Sequence, residues 1–157
     1  MEEQKMQTND LQKTKISGKM TFNFTQQETF DVGDVEGHIV SLRKAEGTNI
    51  NVGKSEFMDG ANAVNFSFDD LVIGNGPHQG YSKLEKNGDL IITKWEGRIV
   101  TTLSAGGKPI PSFSGTMYWI KSVGHFANMQ GGGSYKGHFT SESSYDVEWE
   151  GEYWINK

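Results

Sequence analysis

The chain has 157 residues, which suits one domain, with 34% hydrophobic residues, 20 glycines and a formal net charge of −5. The absence of cysteine excludes disulfides, thiolate nucleophiles and cysteine-based zinc sites. The negative charge argues against a nucleic-acid partner, because such proteins usually present a basic surface.

No segment approaches the roughly 18 consecutive apolar residues of a transmembrane helix, so membrane insertion is not expected. The first residues contain no apolar run and do not resemble a signal peptide. The sequence therefore predicts a cytoplasmic protein, and secretion after removal of a signal stays open.

Alternation of apolar and polar residues dominates the chain after a polar start. Residues 1–16 show no sustained period, so we expect a frayed tail before a single domain over 17–157. Period-2 patterns over 20–24, 38–43 and 62–68 then predict three strands.

A hairpin is the clearest local signal in the middle of the chain. Residues 81–86 and 89–102 flank Asn87-Gly88, a dipeptide that favours the type I′ turn because both positions need positive φ. A second turn is predicted at 106–111. Such short turns between neighbouring strands indicate that the strands are antiparallel.

The last strand alternates aromatic and acidic residues almost perfectly. We expect its aromatic row to face inward and its acidic row to face solvent as an ordinary outer surface. The acidic row consists of Asp146, Glu148, Glu150 and Glu152.

Glycines accompany tryptophans in the late strands, as in Trp95-x-Gly97 and Trp149-x-Gly151. Small residues opposite large ones allow a barrel interior to fill without clashes. The glycine-rich stretch 120–137 is interpreted as a corner of the sheet. Roughly eight strands without a helical period predict an all-β, eight-stranded antiparallel barrel.

The run from Gly115 to Gly137 resembles a pattern of the allene oxide cyclase-like barrels, in which a strand leads into a Gly-x-Gly-x-Phe turn and a glycine-rich return strand. Gly124 and Phe126 fit that pattern, whereas Ser122 replaces its first glycine. The resemblance implies an eight-stranded barrel with a small-molecule cavity, in a family that includes fatty-acid cyclases, polyketide cyclases and many small bacterial proteins. It does not extend to the cavity residues of the plant enzyme. A lipocalin-like, calycin-type barrel is the structural alternative.

Histidine and tyrosine supply the candidate acid–base groups. His38 shares a face with Val40 and Leu42, which alternation assigns to the barrel interior, so we expect it to be the catalytic group with Tyr153 or Tyr81 as partner. The other histidines are expected on the surface: His78 in an exposed loop, His125 in the bend and His138 on an outer face. Their spacing matches no metal motif, so no metal is predicted.

Aromatic residues are the candidate ligand-binding groups. They are numerous, and buried tyrosine hydroxyls need partners that a ligand can provide. The residues expected to line the ligand site are Phe22, Phe66, Trp95, Trp119, Tyr135 and Trp149.

Three functions are compatible with these features. The first is a cofactor-independent cyclase, isomerase or lyase that acts on a small hydrophobic molecule. The second is a non-catalytic carrier of an apolar ligand, and the third is a structural module with a filled barrel, which a cavity below roughly 300 Å³ would favour. Self-association as a homo-oligomer stays open in each case.

Overall fold

All eight strands belong to one antiparallel sheet that closes on itself. The structure is a computed structural model that describes residues 12–53 and 56–156. The strands are β1 (Thr14–Asp31), β2 (His38–Asn51), β3 (Asn62–Val72), β4 (Gly76–Lys86), β5 (Asp89–Leu103), β6 (Pro109–Val123), β7 (Met129–Phe139) and β8 (Ser144–Ile155). Each strand pairs with the next, and β1 also pairs with β8. The predicted eight-stranded antiparallel barrel is confirmed.

The first strand begins earlier than the sequence pattern indicated. Residues 1–11 of the predicted tail lie outside the described residues, but Thr14 already pairs with Tyr153 of β8. Ile16 is 4% exposed and belongs to the core. The tail boundary at residue 16 was therefore too late, because the pairing that closes the barrel uses these residues.

Alternation orients the late strands as predicted. In β8, Tyr145, Val147 and Trp149 are buried while Glu148 and Glu150 face solvent. The tight turn between β4 and β5 is also confirmed, with φ of 50° at Asn87 and 87° at Gly88.

Strands β2 and β3 present the opposite faces from those expected. Leu42 is 61% exposed and Phe66 is 43% exposed, whereas Asn65 and Asp69 are buried. The predicted interior position of Phe66 is therefore wrong. Phe66 instead lies across from Tyr81 on the outer surface, and the inward Asn65 is satisfied by hydrogen bonds to other polar groups.

The glycine-rich stretch serves two purposes. Gly124, at φ 88°, begins a short 3-10 turn, Gly124–Phe126, between β6 and β7. The three consecutive glycines do not lie in that turn but inside β7, where a methyl group on Gly133 would collide with the backbone carbonyl of Glu150. They allow neighbouring strands to approach closely.

The two ends of the barrel differ. The lower end, where β1 begins, is covered by Phe57 and Met58 from the β2–β3 connection and by Phe126. The rings of Phe57 and Phe126 lie 4.9 Å apart. At the upper end the β1–β2 and β5–β6 hairpins continue past the core as exposed strands. Within the described ranges, no helix is long and apolar enough to cross a membrane.

Candidate functional site

A cavity of about 70 Å³ remains inside the barrel. Its wall combines apolar and polar side chains, and most of the interior around it is filled by aromatic rings. The volume exceeds what one water molecule requires but falls well below the roughly 300 Å³ at which sites for drug-sized ligands begin. It can take only a few non-hydrogen atoms without movement of the wall.

Five of the six predicted ligand-binding residues contribute to this cavity. They are Phe22, Trp95, Trp119, Tyr135 and Trp149. Phe66 lies on the outside of the barrel and is not part of the wall. Whether the five bind a ligand stays a prediction.

The three predicted catalytic residues lie apart from one another and from the cavity. Tyr81 is 44% exposed on the outer face, where its hydroxyl accepts a hydrogen bond of 3.3 Å from Lys94 Nζ. Tyr153 packs at the lower end against Phe57 and Phe126, with ring centroids 5.7 and 5.8 Å away. Neither residue lines the cavity.

His38 also lies on the outer face, so its predicted inward orientation is wrong. Ser41 and Arg43 supply the inward row of β2, which places His38 on the opposite side. Its Nδ1 and Nε2 atoms each lie 2.6 Å from a carboxylate, of Asp34 and Asp70 respectively. These hydrogen bonds, first Asp34 and then Asp70, raise the pKa of His38.

His78 is the histidine that faces the cavity. The segment expected to be a loop is strand β4, and His78 is 6% exposed with its ring 4.8 Å from that of Trp95. Burial lowers the pKa of His78 to about 4, against a hydrogen bond with the Ser114 backbone that raises it. A hydrogen bond raises the pKa of a histidine when the ring N–H donates it, so His78 donates to the backbone carbonyl of Ser114. The other nitrogen of the neutral ring, Nε2, accepts a hydrogen bond from the Tyr135 hydroxyl over 2.8 Å.

Asp69 lies directly across from His78 in the pairing of β3 with β4. Its side chain is buried, and its Oδ2 atom lies 3.5 Å from Nη1 of Arg43. Burial raises the pKa of the carboxyl group, and the positive charge of Arg43 opposes this only in part. The guanidinium group also stacks over Phe24, 5.0 Å from its ring centre.

Asn65 connects the polar groups of the wall. Its amide nitrogen donates to the Tyr145 hydroxyl over 2.6 Å. Its oxygen accepts from the Trp95 indole over 2.9 Å and from the Ser82 hydroxyl over 3.1 Å. Burial is the main reason that the pKa of the Tyr145 hydroxyl is raised.

The arrangement brings a buried carboxylate, a neutral imidazole, two tyrosine hydroxyls and a guanidinium group around one small space. Such a set can hold a polar atom and transfer a proton, since groups with shifted pKa values in a cavity are typical of functional sites. No group of three or more metal-ligating side chains occurs among residues 12–53 and 56–156.

Sequence reasoning missed Asp69, His78, Arg43 and Asn65. Alternation defines the row of Asn65, Ser67 and Asp69 and the aromatic row beside it equally well, so it does not tell which of the two faces inward. The pattern was assigned to the wrong face, since aromatic residues were expected inside. Comparison of the chain with protein-family models and with curated proteins finds no match.

Proposed function

We propose that the barrel binds a small, mainly apolar molecule in its cavity and moves a proton on it, as a cofactor-independent isomerase, cyclase or lyase. The observation that supports this function is Asp69. This residue is 3% exposed at the cavity wall, and in the described chain the one polar contact of its carboxylate is the 3.5 Å ion pair with Arg43.

A carboxylate in this position needs a functional explanation. Removing an ionised group from water is costly unless hydrogen bonds and a close ion pair replace the water, and Asp69 has only a long ion pair. A raised pKa makes a carboxylate a stronger base once it is ionised, which suits a role in proton transfer. We therefore assign to Asp69 the acid–base role that the sequence suggested for His38.

The resemblance to allene oxide cyclase-like barrels supports the same class of reaction, and membership of that family stays a proposal.

The cavity volume limits the size of the reacting part of the substrate. At about 70 Å³ it admits a few non-hydrogen atoms, so either the substrate is small or only its reacting end enters the barrel.

The volume of about 70 Å³ lies below the roughly 300 Å³ under which a filled barrel is favoured, so it supports a second candidate function. A barrel filled by its own side chains serves as a structural or self-associating module and needs no ligand. A non-catalytic carrier lies between the two, because it binds a molecule but leaves it unchanged.

Deuterium uptake tests proton transfer even while the substrate is unidentified. The protein is incubated in D₂O with a small-molecule extract of its host cells, and mass spectrometry identifies compounds that gain deuterium at carbon. We expect one compound or a small set to gain deuterium with the wild type. Uptake should fall at least roughly 100-fold with Asp69→Asn, because a positioned acid–base group typically contributes at least that much.

Asp70→Asn is the matched control, since Asp70 is the next residue and contacts His38 on the outer face. It should leave uptake unchanged. Bound molecules without uptake would favour the carrier, and neither binding nor uptake would favour the filled barrel.

A further inference from the structure

The orientation of the Asn65 amide is fixed by a neighbour that can only donate. The indole nitrogen of Trp95 carries a hydrogen and accepts none, so the Asn65 atom 2.9 Å from it is the oxygen. The amide nitrogen therefore points to the Tyr145 hydroxyl, which must accept at 2.6 Å.

Tyr145 consequently keeps its own O–H for another partner. In the described part of the chain this hydroxyl makes no hydrogen bond other than the one it accepts. Tyr145 is 5% exposed and lines the cavity. A buried donor without an acceptor loses stability, so the free O–H calls for an acceptor inside the cavity.

Arg43 provides a second free donor in the same region. Its Nε–H has no partner among the described residues and almost no accessible surface, so an acceptor in the cavity reaches it only when the wall shifts. Phe24 lies beside both Arg43 and Tyr145, because its ring centre is 5.0 Å from the guanidinium carbon and 5.2 Å from the centre of the Tyr145 ring. Both side chains belong to the cavity wall.

The charge of the wall restricts which acceptor fits. Asp69 and Arg43 carry opposite charges in one ion pair, so no net positive charge remains to offset a buried anion. We propose that the bound molecule presents a neutral carbonyl oxygen, which accepts hydrogen bonds from the Tyr145 hydroxyl and from Arg43 Nε–H. This inference rests on the proposed function and names its substrate class.

A carbonyl held in this way gives the proposed proton transfer a definite course. Asp69 removes a proton from the carbon next to the carbonyl, and the electron pair of that C–H bond moves to the carbonyl oxygen. The resulting enolate oxygen is stabilised by the two donors. Return of the proton to the same or a conjugated carbon restores the carbonyl, so atoms and electrons balance without another reactant.

Two probes of nearly equal shape test the inference. They are 3-methyl-2-butanone and 2,3-dimethyl-1-butene, in which a methylene group replaces the carbonyl oxygen. Their dissociation constants are measured by NMR titration of the wild type and of Tyr145→Phe. We expect the substitution to weaken ketone binding roughly 3- to 10-fold, the effect of one lost hydrogen bond, and to leave alkene binding unchanged. Tyr118→Phe, at an exposed tyrosine on the outer face, is the control and should change neither value.

Two further measurements test the carbonyl assignment on the wild type, without Tyr145→Phe. The infrared band of carbonyl-¹³C ketone bound to the wild type should lie below its position in hexane, and isobutyrate should bind at least roughly 10-fold more weakly than the ketone at pH 7. Equal effects of Tyr145→Phe on both probes, a hexane-like band, or preferred binding of isobutyrate would overturn the carbonyl assignment alone. Absence of binding by both neutral probes would overturn the proposed function with it.

Discussion

The polar character of the barrel interior comes from a few single residues rather than from the aromatic majority. Asp69 and His78 are paired residues on the adjacent strands β3 and β4. Burial raises the pKa of Asp69 and lowers the pKa of His78. At neutral pH His78 is therefore uncharged and fixed by Tyr135. The sequence could not predict this pair, because the position of either residue depends on which face of its strand points inward.

The low pKa of His78 predicts a loss of stability in mild acid. In the unfolded chain His78 binds a proton near pH 6.5, whereas in the folded chain it binds one only near pH 4. The free energy of unfolding therefore falls as the pH decreases between these values. The full effect is about 3 kcal/mol, from a shift of about 2.5 pH units at 1.36 kcal/mol each.

Urea unfolding at several pH values measures this effect. His78→Gln keeps an acceptor for Tyr135 but cannot titrate, so its stability should change much less between pH 6.5 and 4. His138→Gln, at an exposed histidine of β7, should retain the wild-type slope. Parallel curves for the wild type and His78→Gln would show that His78 does not titrate as described.

At the scale of the strands, glycines create the space that the rings fill. A methyl group on Gly115 would collide with the Glu96 carbonyl and lie 2.6 Å from Cζ of Tyr135. The sequence did predict that small residues would accompany large ones in the late strands. It could not predict which ring covers which glycine, because that depends on the register between strands from distant parts of the chain.

Gly115→Ala should therefore destabilise the barrel by about 3 kcal/mol, as overpacking against a backbone that cannot move away. Gly106→Ala is the matched control, because its nearest neighbour would be the Ser104 hydroxyl oxygen at 3.9 Å. That substitution should change stability by less than about 0.5 kcal/mol. Thermal and urea unfolding of both variants provide the measurement, and a similar stability for the two would contradict the packing described.

For the whole molecule, alternation and turns predicted the number of strands and their antiparallel order. Closure was predicted from the small residues that accompany large ones in the late strands. The pairing of β1 with β8 confirms this part of the prediction. The face inversion in β2 and β3 was not predictable from alternation alone, since both rows of β3 alternate equally well. The burial of Asn65 and Asp69, and the hydrogen bonds that Asn65 makes with distant residues, identify the polar row as the inner one.

We propose that the remaining space inside the barrel is a binding site. The most direct test of this proposal is an NMR titration with 3-methyl-2-butanone, followed at the indole N–H signals of Trp95, which lines the cavity, and Trp154, which lies beside Lys13 instead. The wild type is compared with Ser67→Leu, which fills the cavity, and with Ser134→Leu on an exposed position of β7. We expect a saturable shift of the Trp95 signal in the wild type and in Ser134→Leu, none in Ser67→Leu, and no shift of Trp154 in any of them. A Trp95 signal that does not saturate, or that responds equally in Ser67→Leu, would show that the cavity is not the binding site.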